Sequence, residues 1–252
     1  MITSAALCPW PPLLVRELTG ADPVLPELRA ASAGAVAALL RDEPEVVAVV
    51  GPATVTAPWP GDGRLNVAAF GPGAAVSAAA GPGRPALPPA PGMGAYLLDQ
   101  AGYDGERLIW SVSADEPVAG CRKLGADLAG RHGRTALLAM GDGSARRGPR
   151  APGHFDGRAA AFDAEVERAV RAGDLRALLD LDPGLARELM ATGRPAWQVL
   201  AGALETAAAL RVTVPYAGDP FGVAYLVATL RPSGPGGSGT AGSGPGRSAA
   251  RG

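Results

Sequence analysis

The sequence has few of the residues that usually carry catalysis or hold a metal. Its 252 residues include two histidines, His132 and His154, and one lysine, Lys123, and aromatic residues make up only 5%. Two cysteines, Cys8 and Cys121, with no CxxC motif exclude a disulfide framework. Any chemistry that needs an imidazole would therefore have to use His132 or His154.

An excess of charge of either sign is also absent. The formal net charge is −1, and no basic segment is dense enough to suggest nucleic-acid binding. No apolar run reaches the roughly 20 residues of a membrane helix. The first apolar run has no basic residues before it and is broken by Pro9, so we do not expect a signal peptide. These absences predict a cytoplasmic protein with no nucleic-acid and no membrane partner.

The chain does contain enough apolar sequence for a substantial core. Hydrophobic residues make up 47% of it and the mean hydropathy is +0.12. Strands buried on both faces are predicted from continuous apolar runs, at residues 2–8, 45–52, 108–112 and 134–140. Helices are predicted between them, at residues 26–40, 91–100 and 116–131. This alternation predicts an α/β fold, a single domain over residues 1–230 with a mainly parallel or mixed central sheet flanked by helices.

The rest of the chain completes the prediction. Further helices are expected at residues 158–172, 175–180, 183–190 and 195–209, and further strands at 66–70, 211–216 and 222–228. The Gly/Pro/Ala-rich segment 71–91 is either a lid over a pocket or a disordered insertion. Residues 231–252 are rich in Gly, Ser and Pro and cannot bury enough apolar surface to offset the entropy of ordering, so we expect a disordered tail.

The candidate site residues follow the predicted strands. Prolines on both sides of Trp10 force an extended turn after the first strand. This turn aims Trp10 out of the carboxyl end of the strand, where open α/β sheets place their sites. The strand at 134–140 runs into Gly-Asp-Gly-Ser-Ala at residues 141–145, and Asp219 lies between the last two predicted strands.

These stretches resemble the class III extradiol ring-cleavage dioxygenases of the protocatechuate dioxygenase β-subunit type. In that family the first turn is approximately Pro-His-Pro-Pro, and its histidine binds iron. The second strand ends in another metal-binding histidine, and a later Gly-Asp-x-Ser-His supplies a histidine for proton transfer. Asp142 and Ser144 match this pattern, whereas the three histidine positions hold Trp10, Ala53 and Ala145. The resemblance implies the family's α/β fold over nearly the whole folded part.

The resemblance also implies that the chemistry to consider is ring cleavage at an Fe(II) site. These enzymes hold Fe(II) with two histidines and one carboxylate and leave positions open for catechol and dioxygen. The family places its acidic ligand near Asp219, although the alignment puts Gly218 at the ligand position. Neither His132 nor His154 stands at a family position. We therefore expect no cofactor and no catalytic residue, and a degenerate pocket formed by Trp10, Ala53, Asp142, Ser144, Ala145 and Asp219.

Functions from different classes remain open at this point. The first is a non-catalytic binding or structural protein, present as a homodimer or with a partner subunit. In it Trp10 either fills the former metal cavity or forms a wall for a small aromatic ligand. The alternative is an active non-haem Fe(II) dioxygenase, or a related metalloenzyme, with Asp219, Asp142 and His154 as substituted ligands. A non-metal enzyme using Asp142 and Ser144 would need a base that the sequence does not show, and these two residues also fit ordinary turn chemistry.

Overall fold

The computed structural model describes residues 1–19, 24–70, 83–131 and 133–233. Its strands, in chain order, are β1 (Ile2–Cys8), β2 (Val46–Ala53), β3 (Ala57–Trp59), β4 (Arg64–Leu65), β5 (Ala86–Leu87), β6 (Glu106–Ser113), β7 (Thr135–Met140), β8 (Ala209–Gly218) and β9 (Tyr225–Ser233). Its α-helices are α1 (Arg16–Thr19), α2 (Pro26–Leu40), α3 (Pro89–Gln100), α4 (Val118–Arg131), α5 (Ala159–Ala172), α6 (Leu175–Leu179), α7 (Pro183–Glu188) and α8 (Arg194–Leu204). Short 3-10 helices cover Pro12–Leu14 and Val67–Phe70.

The main sheet is mixed, with seven strands in the order β3-β6-β2-β7-β1-β9-β8. The central strands β6, β2, β7 and β1 are parallel. At one edge β3 pairs antiparallel with β6, and at the other β9 pairs antiparallel with both β1 and β8. Strands β4 and β5 form a separate short ladder. This arrangement confirms the predicted fold class, a single α/β domain with a central mixed sheet flanked by helices. Because β1, β2, β6 and β7 are parallel, their carboxyl ends lie along one edge of the sheet.

Helices cover both faces of the sheet, which explains the continuous apolar runs. Along β1, Ala5 and Leu7 pack on one face with residues of α4, α5 and α8. Ala6 and Cys8 pack on the opposite face with residues of α2 and α3. Side chains alternate along a strand, so a strand that is buried on both faces needs an apolar residue at nearly every position.

Glycines let α3 approach β2 closely. A Cβ on Gly94 would lie 2.4 Å from Cγ1 of Val49, and a Cβ on Gly51 would lie 2.9 Å from the backbone nitrogen of Pro91. Separations this short require the neighbouring atoms to move, so neither position accepts a larger residue without a shift in packing. The contact holds the end of β2, which carries Ala53, against the first turn of α3.

The predicted elements between β2 and β6 are partly wrong. The strand expected at 66–70 is instead the 3-10 helix Val67–Phe70, because the ladder beside it ends at Leu65. The loop expected at 71–91 contains β5, and α3 begins within it at Pro89, since proline is tolerated in the first turn of a helix. Residues 71–82, where the lid or disordered insertion was expected, lie outside the described residues.

Two predictions near the C-terminus are also wrong in their bounds. The helix expected at 195–209 ends at Leu204, and Ala209 instead begins β8. Strand β9 runs to Ser233, so residues 231–233 belong to the sheet and not to the expected tail. Both differences have one cause, since Ala209 pairs with Ser233 across the β8–β9 ladder. Residues 234–252 lie outside the described residues.

Candidate functional site

Hydrogen bonds hold Trp10 at two points in the turn after β1. Its backbone N–H donates to Oδ1 of Asp142 at 2.9 Å, and its indole Nε1–H donates to Oγ1 of Thr192 at 3.3 Å. The ring packs against the apolar cluster on the α2–α3 face of the sheet. Trp10 is half-buried, so it has a defined position at the sheet edge while part of its surface meets solvent.

The segment that follows β7 is extended. The N–H groups of Gly141 and Gly143 donate to the carbonyls of Cys8 and Ala224, at 2.9 and 2.8 Å. The carbonyl of the intervening Asp142 instead accepts from the N–H of Gly193 at 2.8 Å. This alternation is typical of extended backbone, in which successive side chains point to opposite sides. The Asp142 side chain therefore meets the Trp10 turn, and the two glycines face the other way.

Trp197 and Asp163 lie on the side that the glycines face. A Cβ on Gly141 would lie 3.3 Å from Nε1 of Trp197, and a Cβ on Gly143 would lie 2.6 Å from Oδ1 of Asp163. The sequence analysis missed both residues as site candidates. A signal for Asp163 was available, because it falls within the apolar stripe of α5, three residues before the buried Val166.

The environment of Asp142 disfavours its charged form. Burial raises the pKa of its carboxyl from 3.8 to about 7, and the hydrogen bond from the Trp10 backbone opposes the rise only in part. Tyr225 is buried nearby, and its burial, followed by the charge of Asp142, raises the pKa of the phenol above its usual value. A carboxyl with a pKa near 7 can exchange its proton near neutral pH.

Ser144 holds the loop after β7 in place. It is fully buried. Its Oγ donates to the carbonyl of Leu189 at 2.7 Å and accepts from the N–H of Arg146 at 3.1 Å. Its own N–H donates to Oδ1 of Asp163 at 2.9 Å. These bonds use the hydroxyl in both directions and favour the interpretation of Ser144 as turn chemistry.

Asp219 belongs to the same side of the site as Asp163. It lies between β8 and β9, where its carbonyl accepts from Gly222, whose φ of 74° favours glycine. Its Oδ2 accepts from Nε of Arg147 at 2.9 Å. The same Nε lies 3.7 Å from Oδ2 of Asp163. Arg147 therefore joins Asp219 to Asp163, whereas Asp142 faces the Trp10 turn.

The remaining predicted positions carry no polar side chain or lie elsewhere. Ala53 ends β2 beside Ser113 of β6, and both Ala53 and Ala145 are half-buried. His154 is exposed in the loop before α5, with φ of 60°, and His132 lies outside the described residues. Within the described part of the chain, no group of three or more His, Cys, Asp and Glu side chains is placed to hold a metal ion.

A cavity of about 210 Å³ opens on the Asp163 side, between α5, the loop after β7 and the β8–β9 turn. We call it the α5 cavity. Burial raises the pKa of Asp163 to about 6, opposed by the Ser144 N–H and by Arg147 and increased slightly by Asp219. Oδ2 of Asp163 and Nε1 of Trp197 are buried without a hydrogen-bond partner. Small and aliphatic side chains form much of its wall, among them Ala160, Ala164, Ala217, Ala224 and Leu226.

Comparison with known proteins adds information about the fold. No family model matches the chain, and no curated protein matches it. The crystal structure of an uncharacterised protein from Escherichia coli K12 is similar, with a TM-score of 0.58 and 17% identity, over 91% of this chain and 99% of that chain. At this level of identity the likeness shows a shared fold. Among the residues with described structure, no helix is long and apolar enough to cross a membrane.

Proposed function

We propose that the chain is a non-catalytic binding or structural protein on a scaffold of the class III extradiol dioxygenase type. In this proposal Trp10 replaces the iron-binding histidine of the first turn. The observation that supports it is the double anchoring of Trp10, through its backbone to Asp142 and through its indole to Thr192. An indole N–H only donates hydrogen bonds, so Trp10 offers no lone pair to a metal.

The residues at the other iron positions do not fit Fe(II). A facial triad needs two imidazole nitrogens and one carboxylate. Ala53 and Ala145 carry methyl groups, and Asp219 already pairs with Arg147 at 2.9 Å. The substituted ligand set would also need His154, which is exposed in the loop before α5. The donor groups near the carboxyl edge of the sheet therefore favour a protein that works without iron.

Trp10 has a structural role and a binding role under this proposal. Packing of its ring on the α2–α3 face stabilises the edge of the sheet by burial. Its exposed part leaves an aromatic surface on which a small planar ligand can stack. Asp142 lies directly beside it, so a ligand at this edge would meet one aromatic face and one carboxyl.

The test is Fe(II) binding by the anaerobically purified protein, measured by elemental analysis and calorimetry. The wild type is compared with Trp10→His and with Trp10→Phe, a control that keeps an aromatic ring. We expect no stoichiometric iron in the wild type or in Trp10→Phe. Trp10→His should gain only weak binding, because Ala53 still supplies no second imidazole.

Tight one-to-one binding of Fe(II) by the wild type would contradict the proposal. That result would favour the metalloenzyme with Asp142, Asp219 and His154 as ligands. Catechol ring cleavage would then be assayed on the same iron-loaded sample, with Trp10→Phe alongside it. Cleavage by the wild type would establish an active dioxygenase.

A further inference from the structure

Another cavity, of about 490 Å³, opens to solvent between α2 and α3. We call it the α2–α3 groove. Residues of α2 and its C-cap line it between Ala33 and Arg41, residues at the end of α3 line it between Leu97 and Ala101, and Arg16 of α1 completes the lining. Its volume is in the range of cavities that hold small molecules. The groove shares no lining residue with the Trp10 turn or with the α5 cavity.

Apolar side chains form the body of this groove. Leu97 is 8% exposed and belongs to the core on the α2–α3 face, and the half-buried Leu40 packs against the same core. Ala33 and Ala37 lie one turn apart on α2 and are exposed, so their small side chains leave the space between the helices open. Covering this apolar surface would be favourable. The body of the groove therefore suits a ligand with an apolar segment.

The charged side chains that line the groove are both positive, Arg16 and Arg41. Both are exposed, and within the described residues neither guanidinium forms an ion pair. The carboxylates next to them in the chain have other partners. Asp42 pairs with Arg231 of β9 at 2.5 Å, and Glu17 accepts from a tyrosine hydroxyl of α3 at 3.1 Å. The groove therefore has two positive groups and lacks the negative groups that would match them.

The backbone carbonyls at the C-terminal ends of the two helices do not match these guanidiniums either. The carbonyl of Leu97 accepts from the N–H of Ala101 at 3.1 Å, and that of Leu40 accepts from the N–H of Glu43 at 3.0 Å. The last carbonyls of a helix carry partial negative charge and can bind a cation when they have no partner. Here they are bonded within the chain, so both guanidiniums remain available to a ligand.

The two arginines stand toward opposite ends of the groove. Helices α2 and α3 each connect parallel strands of the sheet, so they run in the same direction. The backbone N–H of Arg16 donates to the hydroxyl of Tyr96 at 3.3 Å, where α3 enters the groove, whereas Arg41 follows the last turn of α2. Helix α2 rises about 12 Å from Ala33 to Arg41. A straight chain of about eight carbons spans most of that length.

We propose that the α2–α3 groove binds an elongated organic dianion, a dicarboxylate with an apolar middle segment. One carboxylate pairs with Arg16 and the other with Arg41, through the paired hydrogen bonds that a guanidinium offers a carboxylate. The CH₂ groups between them cover Leu40 and Leu97. No residue of the Trp10 turn lines the groove, so this site is independent of the function proposed above.

Octanedioate is the probe for this site. Octanoate, with one carboxylate, and 1,8-octanediol, with none, are the controls of matched length. The backbone amide resonances of Ala37 and Ala101 are followed by NMR during titration of the full chain. We expect octanedioate to shift both resonances in a saturable way, octanoate to bind more weakly, and octanediol to produce little shift. The affinity for octanedioate should fall as salt is added, because salt screens exposed charges.

Arg16→Gln and Arg41→Gln test the two guanidiniums. Both side chains are exposed, so the fold should survive either change. We expect each variant to lower the affinity for octanedioate by about fivefold, the upper end for an exposed ion pair. Arg150→Gln removes an exposed arginine from the loop before α5, and this matched control should bind as the wild type does. Ala37→Leu keeps both charges but fills the groove, and it should weaken binding as well.

Three results would overturn the proposal. The first is the absence of a saturable shift at Ala37 and Ala101 with octanedioate. The second is an affinity for octanoate or octanediol equal to that for octanedioate, which would remove the need for two negative groups. The third is an unchanged affinity in both Arg16→Gln and Arg41→Gln, or an equal loss in Arg150→Gln, since either would mean that the groove does not use its own two arginines.

Discussion

The raised pKa of Asp142 makes the stability of the protein depend on pH in a defined direction. The carboxyl has a pKa of about 7 in the folded protein, against an ordinary value of 3.8, so the folded state holds the proton more tightly than the unfolded chain does. Below pH 3.8 the group is protonated in both states and has no effect. As the pH rises from 3.8 to 7 the folded state loses stability, and above pH 7 the loss is constant.

The substitution Asp142→Asn isolates this effect. Asn keeps an oxygen for the backbone N–H of Trp10 and removes the ionisable group. The difference between the two pKa values corresponds to about 4 kcal/mol. Asp142 is only half-buried by surface exposure, so solvent screening reduces the expected effect to about 2 kcal/mol. We therefore expect the free energy of unfolding of Asp142→Asn, relative to that of the wild type, to rise by about 2 kcal/mol from acid to mildly alkaline pH.

Urea unfolding of the wild type and Asp142→Asn, near pH 4 and near pH 8, measures this gain directly. Asp163 also has a raised pKa, but it is present in both proteins, so its contribution cancels in the comparison. Asp127→Asn, which removes an exposed carboxylate paired with Lys123 on α4, is the matched control for the loss of one charge. A stability difference between the wild type and Asp142→Asn that stays the same at both pH values would refute the argument that burial shifts Asp142.

Two further predictions follow from the packing. Trp10→Ala should lower the free energy of unfolding by about 2 to 3 kcal/mol. This is below the cost for a fully buried ring, because Trp10 is half-buried. Trp10→Phe, measured by the same chemical denaturation, should recover most of the lost stability. Gly94→Ala should destabilise by about 1 to 3 kcal/mol, because its Cβ would lie 2.4 Å from Cγ1 of Val49, and an unchanged melting temperature would contradict this packing.

The elements that sequence predicted well are those in which local and tertiary signals agree. Strand β1 and helix α2 have the expected bounds, Ile2–Cys8 and Pro26–Leu40. Strand β1 ends where Pro9 interrupts the apolar run, and helix α2 begins with Pro26 in its first turn. Val67–Phe70 looks equally strand-like by composition, but β4 beside it ends at Leu65. Strand propensity without a neighbouring strand does not make a sheet.

The candidate site also contains contacts that the sequence predicts and contacts that it does not predict. The meeting of Trp10 and Asp142 follows from topology, because β1 and β7 are parallel neighbours and both residues lie just beyond the carboxyl ends of these strands. The meeting of Asp163 with Ser144 and Arg147 does not follow from any sequence motif. Only the course of the loop after β7 places the carboxylate of Asp163 against Gly143.

Two carboxyl groups with raised pKa values flank one extended segment, but they differ in how their hydrogen bonds are used. Asp142 accepts from the backbone of Trp10, and the tryptophan ring packs over its side of the sheet edge. Asp163 accepts from the N–H of Ser144 with one oxygen, and its other oxygen lies 3.7 Å from Nε of Arg147. The charge of Arg147 opposes the effect of burial at Asp163, and the pKa there rises to about 6, compared with about 7 for Asp142.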